Sequence, residues 1–536
     1  MKITAFFLYF LAFIFTAILT FMICKNHLGT LSSSAPHQWL TASTVNFVEN
    51  WESDGFLNDK AMMLELPKSI ENSTFESRKP YVSYLPGAAL EITLVKKIFP
   101  SSSTLVLTQI FNLCNQFLIS LVLAFILFYG SSSLPGLYRY LMALAVFITW
   151  QSLPAVIYVH SMVFFSDQAV LLPFCLALLM ELIIRKRAAM PAYLLQSFIL
   201  SWATLCDWLA IPLIASILAF RFLSPLKNRR LFDSAQLMLL PACILIFFAL
   251  QLYHTHLWQL LMQRFSLRSG LYDASDWFLI HFIRGFFVAS LGMVNFMILL
   301  GSMIYIYYLF FKKSEKMPEL VVVSAIAMSA CIMHAFILTN HTLVHATFSI
   351  VKFYFLMTLL AIGVIPILLI NAYKSISLAI PVMIFAAWYH FITIPESHAK
   401  TLLAFNSYVN YQEIAFWLEK HSGFSDVFIS KQISIQANPP QAIALSKKSV
   451  HTFASLDELR RFYSSIPKHA NYYAILDRNE FNQCGITNPM IKNRIYSNKN
   501  EWIIFKFIPG NDKIDKCLVK QIQGRVSACR MNTAIN

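Results

Sequence analysis

The chain has 536 residues, of which 57% are hydrophobic and only 13% charged, and it includes 47 phenylalanines. This composition excludes an ordinary soluble globule and is typical of a membrane protein with several spans. The net charge of +15 does not indicate nucleic-acid binding, because the basic residues stand singly or in short clusters between apolar stretches, where cytoplasmic retention explains them. We therefore expect an α-helical polytopic membrane protein with no nucleic-acid partner.

The first apolar stretch and the loop after it set the organisation of the N-terminal part. Residues 1–24 lack a small-residue cleavage site, so we expect them to be retained as the first span. The loop of residues 25–102 is too long for a simple connector. Pro36 and the serines before it predict a helix that runs to Gly55, with one apolar face that would lie along the membrane surface. A second short helix is expected to end near Phe99.

The remaining spans are predicted from apolar stretches separated by polar or basic segments. They cover residues 104–129, 137–157, 167–184, 193–206, 208–221, 235–253, a stretch ending near 311, 318–338, 348–369 and 375–394. Residues 193–221 are divided at Asp207, because a single crossing would place the basic clusters on either side of this stretch on opposite faces of the membrane. The pattern predicts 11 transmembrane helices, with the C-terminus outside.

From Pro395 onward the sequence contains no further stretch long enough to span a membrane, so we divide the chain into residues 1–394 and 395–536. Tyr408–Lys420 has a helical pattern, and a capping box at Ser455–Glu458 opens another helix. Strands are predicted at Asp426–Ser430, Tyr472–Leu476 and Trp502–Phe507. This order predicts a small extracytoplasmic α/β domain, and its tail after Pro509 is expected to be loosely ordered.

The nine cysteines show neither a CxxC pair nor metal-ligand spacing. Six lie in or beside the spans and are expected to be packing residues. The other three are Cys484, Cys517 and Cys529. If their domain is extracytoplasmic, one disulfide can form among them, and the sequence leaves the pairing open.

Three short segments resemble motifs of one enzyme superfamily. They are the loop helix ending at Gly55 together with Tyr84-Leu-Pro-Gly87, the segment Tyr158–Asp167 that heads a span, and the segment His341–Tyr354. With the short first span and the long outer loop, they resemble the GT-C membrane glycosyltransferases, in particular the protein mannosyltransferase and aminoarabinose transferase branch. The resemblance covers about residues 1–400. It implies that a sugar is moved from a polyprenyl-phosphate donor to a lipid, glycan or protein acceptor at the outer interface.

The resemblance also implies a catalytic base at the start of the loop helix. The branch carries an aspartate there, whereas His37 and Gln38 align with it in this chain. A neutral histidine can accept a proton from an acceptor hydroxyl. Acids later on the helix, Glu49 with Glu52 and Asp54, are alternatives, although we favour a solvated helix end as the explanation for them. We favour Asp167 as the acid/base or acceptor-orienting group, with His37 assisting; capping of a span explains Asp167 equally well.

Basic residues near the outer ends of the spans are candidates for contact with the donor phosphate. They are His341, His345, Lys352, Arg264 and Arg268. Lipid headgroup contact explains the arginines equally well, and the four-residue spacing of the histidines also fits a metal pair. Without an acidic neighbour we favour phosphate, and we expect no metal or other cofactor, with a divalent metal as the less favoured alternative. Further candidates for the substrate groove are Tyr84, Pro86, Tyr158, His160 and Asp207.

Two other function classes fit parts of the sequence. A transporter or flippase of lipid-linked glycans also needs many spans and buried polar groups, but the sequence has no repeated halves. An inactive membrane scaffold would not explain why the candidate site residues are present together. We therefore predict a hexosyl or pentosyl transferase of the bacterial inner membrane, with the first loop and the C-terminal domain extracytoplasmic. Its expected partners are a polyprenyl-phosphate-linked sugar, membrane lipids and an unidentified acceptor.

Overall fold

The computed structural model describes residues 2–25, 28–31, 37–187, 190–223, 230–270, 278–313, 318–368, 412–421, 423–430, 446–448, 450–451, 453, 455–485, 492–497 and 500–519. The chain divides into two compact units. The first consists of Met1–Gly29 and Val82–Ala404, and the second of Thr30–Tyr81 and Phe405–Asn536. Part of the first loop thus groups with the C-terminal residues, whereas the sequence-based division assigned the whole loop to the membrane domain.

The described part of the first unit is helical throughout. Its α-helices are α1 (Lys2–Cys24), α3 (Gly87–Ile98), α4 (Thr104–Gly130), α5 (Gly136–Ser152), α6 (Pro154–Met162), α7 (Ser166–Ala169), α8 (Leu171–Lys186), α9 (Met190–Cys206), α10 (Ala210–Leu223), α11 (Arg230–His254), α12 (Trp258–Ser269), α13 (Phe278–Phe282), α14 (Met293–Lys313), α15 (Glu319–Ile337), α16 (Thr339–Val344), α17 (Ala346–Ser349) and α18 (Val351–Thr358). Two π-helical segments, Ile283–Ser290 and Leu359–Val364, follow α13 and α18.

Several of these helices are suited to crossing a membrane. Among the described residues, five helices are long and apolar enough to do so, and two bent helix pairs raise the number to seven. The predicted total of 11 is therefore not confirmed, and the predicted last span, residues 375–394, lies outside the described residues. The shorter apolar helices α9 and α10 meet at Asp207, as the sequence predicted.

The predicted span over residues 137–157 is not continuous. It is bent by 61° between α5 and α6, because Pro154 lacks an N–H group and disfavours helical geometry at Leu153. The Asn112 side-chain amide on α4 donates to the carbonyl oxygens of Val159 and Val163, at 3.1 and 2.9 Å. A buried polar side chain thus satisfies backbone groups at the C-terminal end of α6, as an apolar environment requires. The predicted span ending near residue 311 is likewise bent, by 110°.

The second unit contains the loop helix α2 (Gln38–Asp54). It begins at Gln38 rather than at Pro36, after His37 in left-handed geometry with φ 61°. Gly55, at φ 92°, ends it as predicted and donates to the Trp51 carbonyl. Most of the helix is buried within the protein, and its predicted placement along the membrane surface stays a prediction. Asn50, for example, donates to the Leu64 carbonyl at 2.7 Å.

The second unit also contains a two-stranded sheet of β1 (Met63–Leu64) and β2 (Pro80–Tyr81) and a mixed five-stranded sheet. The strands of the five-stranded sheet are β3 (Asp426–Ser430), β4 (Val450–His451), β5 (Asn471–Asp477), β6 (Lys492–Ser497) and β7 (Asn500–Phe507), in the order β4-β3-β5-β7-β6. The three predicted strands are confirmed as β3, β5 and β7, whereas β4 and β6 were missed. β3 is parallel to both β4 and β5, and β7 is antiparallel to β5 and β6.

The elements beside this sheet support the predicted α/β layer. The helix Leu456–Ser465 begins as predicted, because the Ser455 hydroxyl accepts from the Glu458 amide. The helix predicted at residues 408–420 is found at Gln412–His421. Cys484 and Cys517 form a disulfide, so the pairing that the sequence left open among three cysteines is now assigned. The predicted loose tail after Pro509 is wrong at its start, where Asp512–Leu518 form a helix capped by the Asn511 side chain. Cys529 and the residues after 519 lie outside the described residues.

Candidate active site

The centre of the first unit is a buried ion pair between Asp167 and Lys352. The Lys352 Nζ lies 2.5 Å from Asp167 Oδ1, although the two residues are 185 positions apart in the sequence. α7 presents Asp167 and α18 presents Lys352, and both residues are only 2% exposed. Removing such charges from water is costly unless they are paired. The helices therefore hold a compact pair of opposite charges inside an apolar bundle.

The break between α9 and α10 brings a second carboxylate to the same ammonium group. Asp207 Oδ1 lies 3.8 Å from the Lys352 Nζ and accepts from the Leu209 amide at 2.7 Å. His334 on α15 places its Nε2 3.2 Å from the same Asp207 oxygen. His334 was not among the sequence candidates. One lysine thus lies between two carboxylates, and the second carboxylate also faces an imidazole.

On the other side, Asp167 faces the short helix α16. His341 Nε2 lies 3.8 Å from Asp167 Oδ2 and 3.0 Å from the Tyr84 hydroxyl. The Arg268 guanidinium lies 4.5 Å from the centre of the Tyr84 ring, a cation–π contact. The His345 ring centre is 4.8 Å from that of His341. These contacts extend the polar cluster from buried Asp167 to half-buried Arg268 and His345.

The His341 ring is suited to accepting a proton. Burial lowers the pKa of His341 below its ordinary value, although its contact with Asp167 acts in the opposite direction. The imidazole is therefore neutral near pH 7 and still lies beside a carboxylate that would stabilise it once protonated. The sequence had suggested phosphate contact for this residue, and proton acceptance is a second role that its position allows.

The structure thus brings seven of the sequence candidates into one connected cluster, which we call the charged centre. Its members are Tyr84, Asp167, Asp207, Arg268, His341, His345 and Lys352. Other candidates are placed differently. Arg264 is exposed on α12, and Pro86 precedes α3. Tyr158 is buried in α6, and the His160 Nδ1 contacts Asn112 Oδ1 at 3.0 Å.

The remaining candidates for the base belong to the second unit. His37 precedes α2, and Glu49 lines a cavity of about 480 Å³ together with Glu52 and Asp54. Glu49 lies 3.5 Å from the Lys447 Nζ, so it has a cationic neighbour. Catalytic roles for these residues stay predictions. Metal-binding groups of three or more His, Cys, Asp or Glu side chains do not occur in the described ranges.

Glu91 on α3 is a buried acid near the charged centre that the sequence analysis missed. Its Oε1 accepts from the Trp202 indole at 2.5 Å and lies 3.6 Å from Cys206 Sγ, next to Asp207. α3 can approach α9 this closely because Gly87 has no side chain: a Cβ there would lie 2.5 Å from the Leu205 carbonyl oxygen. Burial raises the pKa of Glu91 to about 8. Glu91 is therefore largely protonated and neutral at pH 7.

Glu91→Gln is expected to change how stability depends on pH. The pKa of Glu91 is higher in the folded protein than in the unfolded chain, so its contribution to stability falls as the pH rises from about 4.5 to 8 and is constant above that. Glutamine keeps the acceptor for Trp202 but does not ionise. As the pH rises over this interval, the midpoint of thermal unfolding of the variant should therefore increase relative to that of the wild type. A constant difference between the two from pH 5 to 8 would contradict the raised pKa.

The chain resembles several solved structures in its fold. The chain is similar to the oligosaccharyltransferase of Archaeoglobus fulgidus in its apo form, with a TM-score of 0.51 and 12% identity over 88% of this chain and 69% of that one. The same enzyme tethered to an acceptor peptide containing the NVT sequon gives 0.50 and 10%, with the same coverage. ArnT from Cupriavidus metallidurans bound to undecaprenyl phosphate gives 0.47 and 11%, over 92% of this chain and 97% of that one.

These similarities concern the fold of the chain. The likeness to the archaeal oligosaccharyltransferase supports the fold that the sequence resemblance implied. The apolar helices and this fold indicate an integral membrane protein. No protein-family model matches the sequence, and no curated protein matches it significantly. Identities near 10% show the fold alone and leave the reaction to be argued from the site.

Proposed function

We propose that this protein transfers a sugar from a polyprenyl-phosphate-linked donor to a lipid, glycan or protein acceptor. The observation that carries the proposal is the charged centre, in which Lys352 and two carboxylates are buried in the first unit. These groups connect to Arg268 through His341 and Tyr84. A purely structural bundle gains little from burying several charges, whereas a transferase needs charges preorganised at the reacting atoms.

The donor phosphate is assigned to the half-buried end of the charged centre. Arg268 supplies several N–H donors in a planar group, which matches phosphate oxygens. His345 lies next to His341 at the same end, and neither Arg268 nor His345 is fully buried. A lipid-linked donor would keep its hydrocarbon chain in the bilayer and present its phosphate here. The positive charge would then stabilise the polyprenyl phosphate as it leaves.

The acceptor is assigned to the buried end, at Asp167 and His341. In the transfer the acceptor's nucleophilic atom forms a bond to the anomeric carbon, and the bond from that carbon to the phosphate oxygen breaks. The phosphate takes the bonding electron pair, and the acceptor proton passes to a base. Lys352 holds one oxygen of Asp167, which favours a role for Asp167 in orienting the acceptor and stabilising protonated His341.

The compartment is part of the same proposal. A lipid-linked donor would be used at the outer face of a bacterial inner membrane, and the disulfide between Cys484 and Cys517 supports an oxidising compartment for the second unit. We keep the predicted topology, with the first loop and the C-terminal domain outside. Transport of the intact lipid-linked sugar is the alternative. It can be distinguished because the bond between the sugar and the phosphate stays intact and no polyprenyl phosphate is released.

Arg268→Ala is expected to raise the KM for the lipid-linked donor about 10- to 100-fold, because a charge-assisted hydrogen bond contributes roughly 1.5–3 kcal/mol. Arg264→Ala is the matched control. It removes the same group four positions earlier on α12, where the side chain is exposed. The measurement is the rate of transfer against donor concentration in reconstituted membranes. Equal effects of the two substitutions would instead indicate general contact with lipid headgroups.

A further inference from the structure

The two residues on either side of Asp167 carry polar atoms that the fold leaves unsatisfied. Ser166 Oγ and both polar atoms of the Gln168 side chain are buried without a hydrogen-bond partner among the described residues. Ser166 is 1% exposed and Gln168 0%. A buried polar group without a partner is destabilising, and native proteins contain few of them. Three such atoms within one turn of helix call for a physical explanation.

Two neighbouring segments add similar atoms. Glu91 Oε2 on α3 and Asp207 Oδ2 at the end of α9 are also buried without a hydrogen-bond partner in the described part of the chain. α7 packs against both α3 and α9, and those two helices pack against each other. The unsatisfied atoms therefore come from three segments that meet beside the Asp167–Lys352 pair.

We propose that Ser166, Gln168 and Glu91 form a hydrogen-bonding subsite for the hydroxyl groups of a neutral sugar, next to the charged centre. This inference rests on the proposed function and deepens it by naming what the buried side of the site recognises. Gln168 offers two N–H donors and a carbonyl acceptor, and Ser166 offers a hydroxyl that both donates and accepts. Sugar hydroxyls need both kinds of partner, so this set suits them.

The chemical character of the subsite differs from that of the phosphate end. None of its groups carries a full positive charge, and Glu91 is largely protonated near pH 7 because burial raises its pKa to about 8. A protonated carboxyl donates through its O–H and accepts through its carbonyl oxygen. A neutral polyhydroxylated group is therefore preferred here over a phosphate, and the phosphate is left to Arg268 and His345.

The test uses Gln168→Met, which keeps the side-chain length while removing both hydrogen-bonding functions. Wild type and variant are purified in full length and reconstituted into nanodiscs. Binding is then measured for decaprenyl phosphate and for two sugar-bearing probes, mannosyl and arabinosyl phosphodecaprenol. Gln196→Met is the matched control, because Gln196 is also fully buried but bonds to Glu181 and Arg221. The midpoint of thermal unfolding without lipid is recorded for each protein.

The expected result separates recognition from structure. Gln168→Met should bind the preferred sugar-bearing lipid about 10- to 100-fold more weakly, with unchanged affinity for decaprenyl phosphate, and its unfolding midpoint should not fall. Ser166→Ala should act in the same direction with a smaller effect. Gln196→Met should lower the unfolding midpoint and leave the preference for the sugar-bearing lipid intact.

Two results would overturn the subsite, and they differ from failure of the proposed function. If wild type binds sugar-bearing and sugar-free lipids equally, the protein recognises the phosphate and has no sugar subsite. If Gln168→Met loses stability while its preference for the sugar-bearing lipid is unchanged, the glutamine is structural. Absence of binding to all three lipids by the wild type would instead refute the polyprenyl-phosphate donor, and the subsite with it.

Discussion

Asp167→Asn is expected to lower the turnover of sugar transfer roughly 10²- to 10⁴-fold, the range for removal of a group that assists proton transfer. Asparagine keeps the size of the side chain but loses the charge that Lys352 and His341 face at 2.5 and 3.8 Å. The acceptor would then be misplaced, and the protonated imidazole would lose its carboxylate. The measurement is single-turnover transfer from a polyprenyl-phosphate sugar, with donor in excess over its KM.

The comparison variant is His37→Gln, which changes the other candidate base. His37 belongs to the second unit and precedes α2 in left-handed geometry. We expect its replacement to reduce turnover only mildly, in keeping with an assisting role. A severe loss in His37→Gln with near-normal Asp167→Asn would move the base to the loop helix. Full activity in both variants would remove both residues from the mechanism.

Lys352→Met is expected to have the largest effect on stability. It removes the ammonium between Asp167 and Asp207 and leaves two buried carboxylates without the positive charge of that ammonium. Breaking a buried ion pair on one side costs about 3–5 kcal/mol. The midpoint of thermal unfolding in detergent should therefore fall clearly, and transfer activity should be lost.

The double variant Asp167→Asn with Lys352→Met separates stability from activity. It removes both partners of the shorter ion pair, while Asp207 keeps its contacts with the Leu209 amide and His334. Most of the stability lost in Lys352→Met should return, because replacing a whole buried pair is often nearly neutral. Activity should not return. A double variant no more stable than Lys352→Met would show that the pair does not account for the loss.

Local patterns predicted much of the fold because they depend on neighbouring residues. The division at Asp207, the end of α2 at Gly55 and the capping box at Ser455 are all confirmed. The bend at Pro154 was missed although its signal was present, since the apolar composition of residues 137–157 outweighed the proline. Strands β4 and β6 were missed because strand formation there depends on pairing with neighbouring strands more than on the local sequence.

The site was predicted less completely, for a different reason. Asp167 and Lys352 were both candidates, but their pairing depends on how α7 and α18 pack across 185 positions of sequence. Glu91, Glu181 and His334 were missed although each is an ionisable residue in a largely apolar helix. That position alone is a signal of a buried partner. Glu181 pairs with Arg185 and Arg221 and stabilises a separate buried cluster.

The most direct test of the central claim is to follow the lipid product. Purified wild type and Asp167→Asn in nanodiscs are incubated with a polyprenyl-phosphate sugar and a membrane extract that supplies acceptors, and the free polyprenyl phosphate is quantified by mass spectrometry. The charged centre as a transferase site predicts release of polyprenyl phosphate by the wild type, in step with glycosylation of an acceptor, and little release by the variant. Movement of the donor across the bilayer with its sugar still attached, and without release of polyprenyl phosphate, would contradict it.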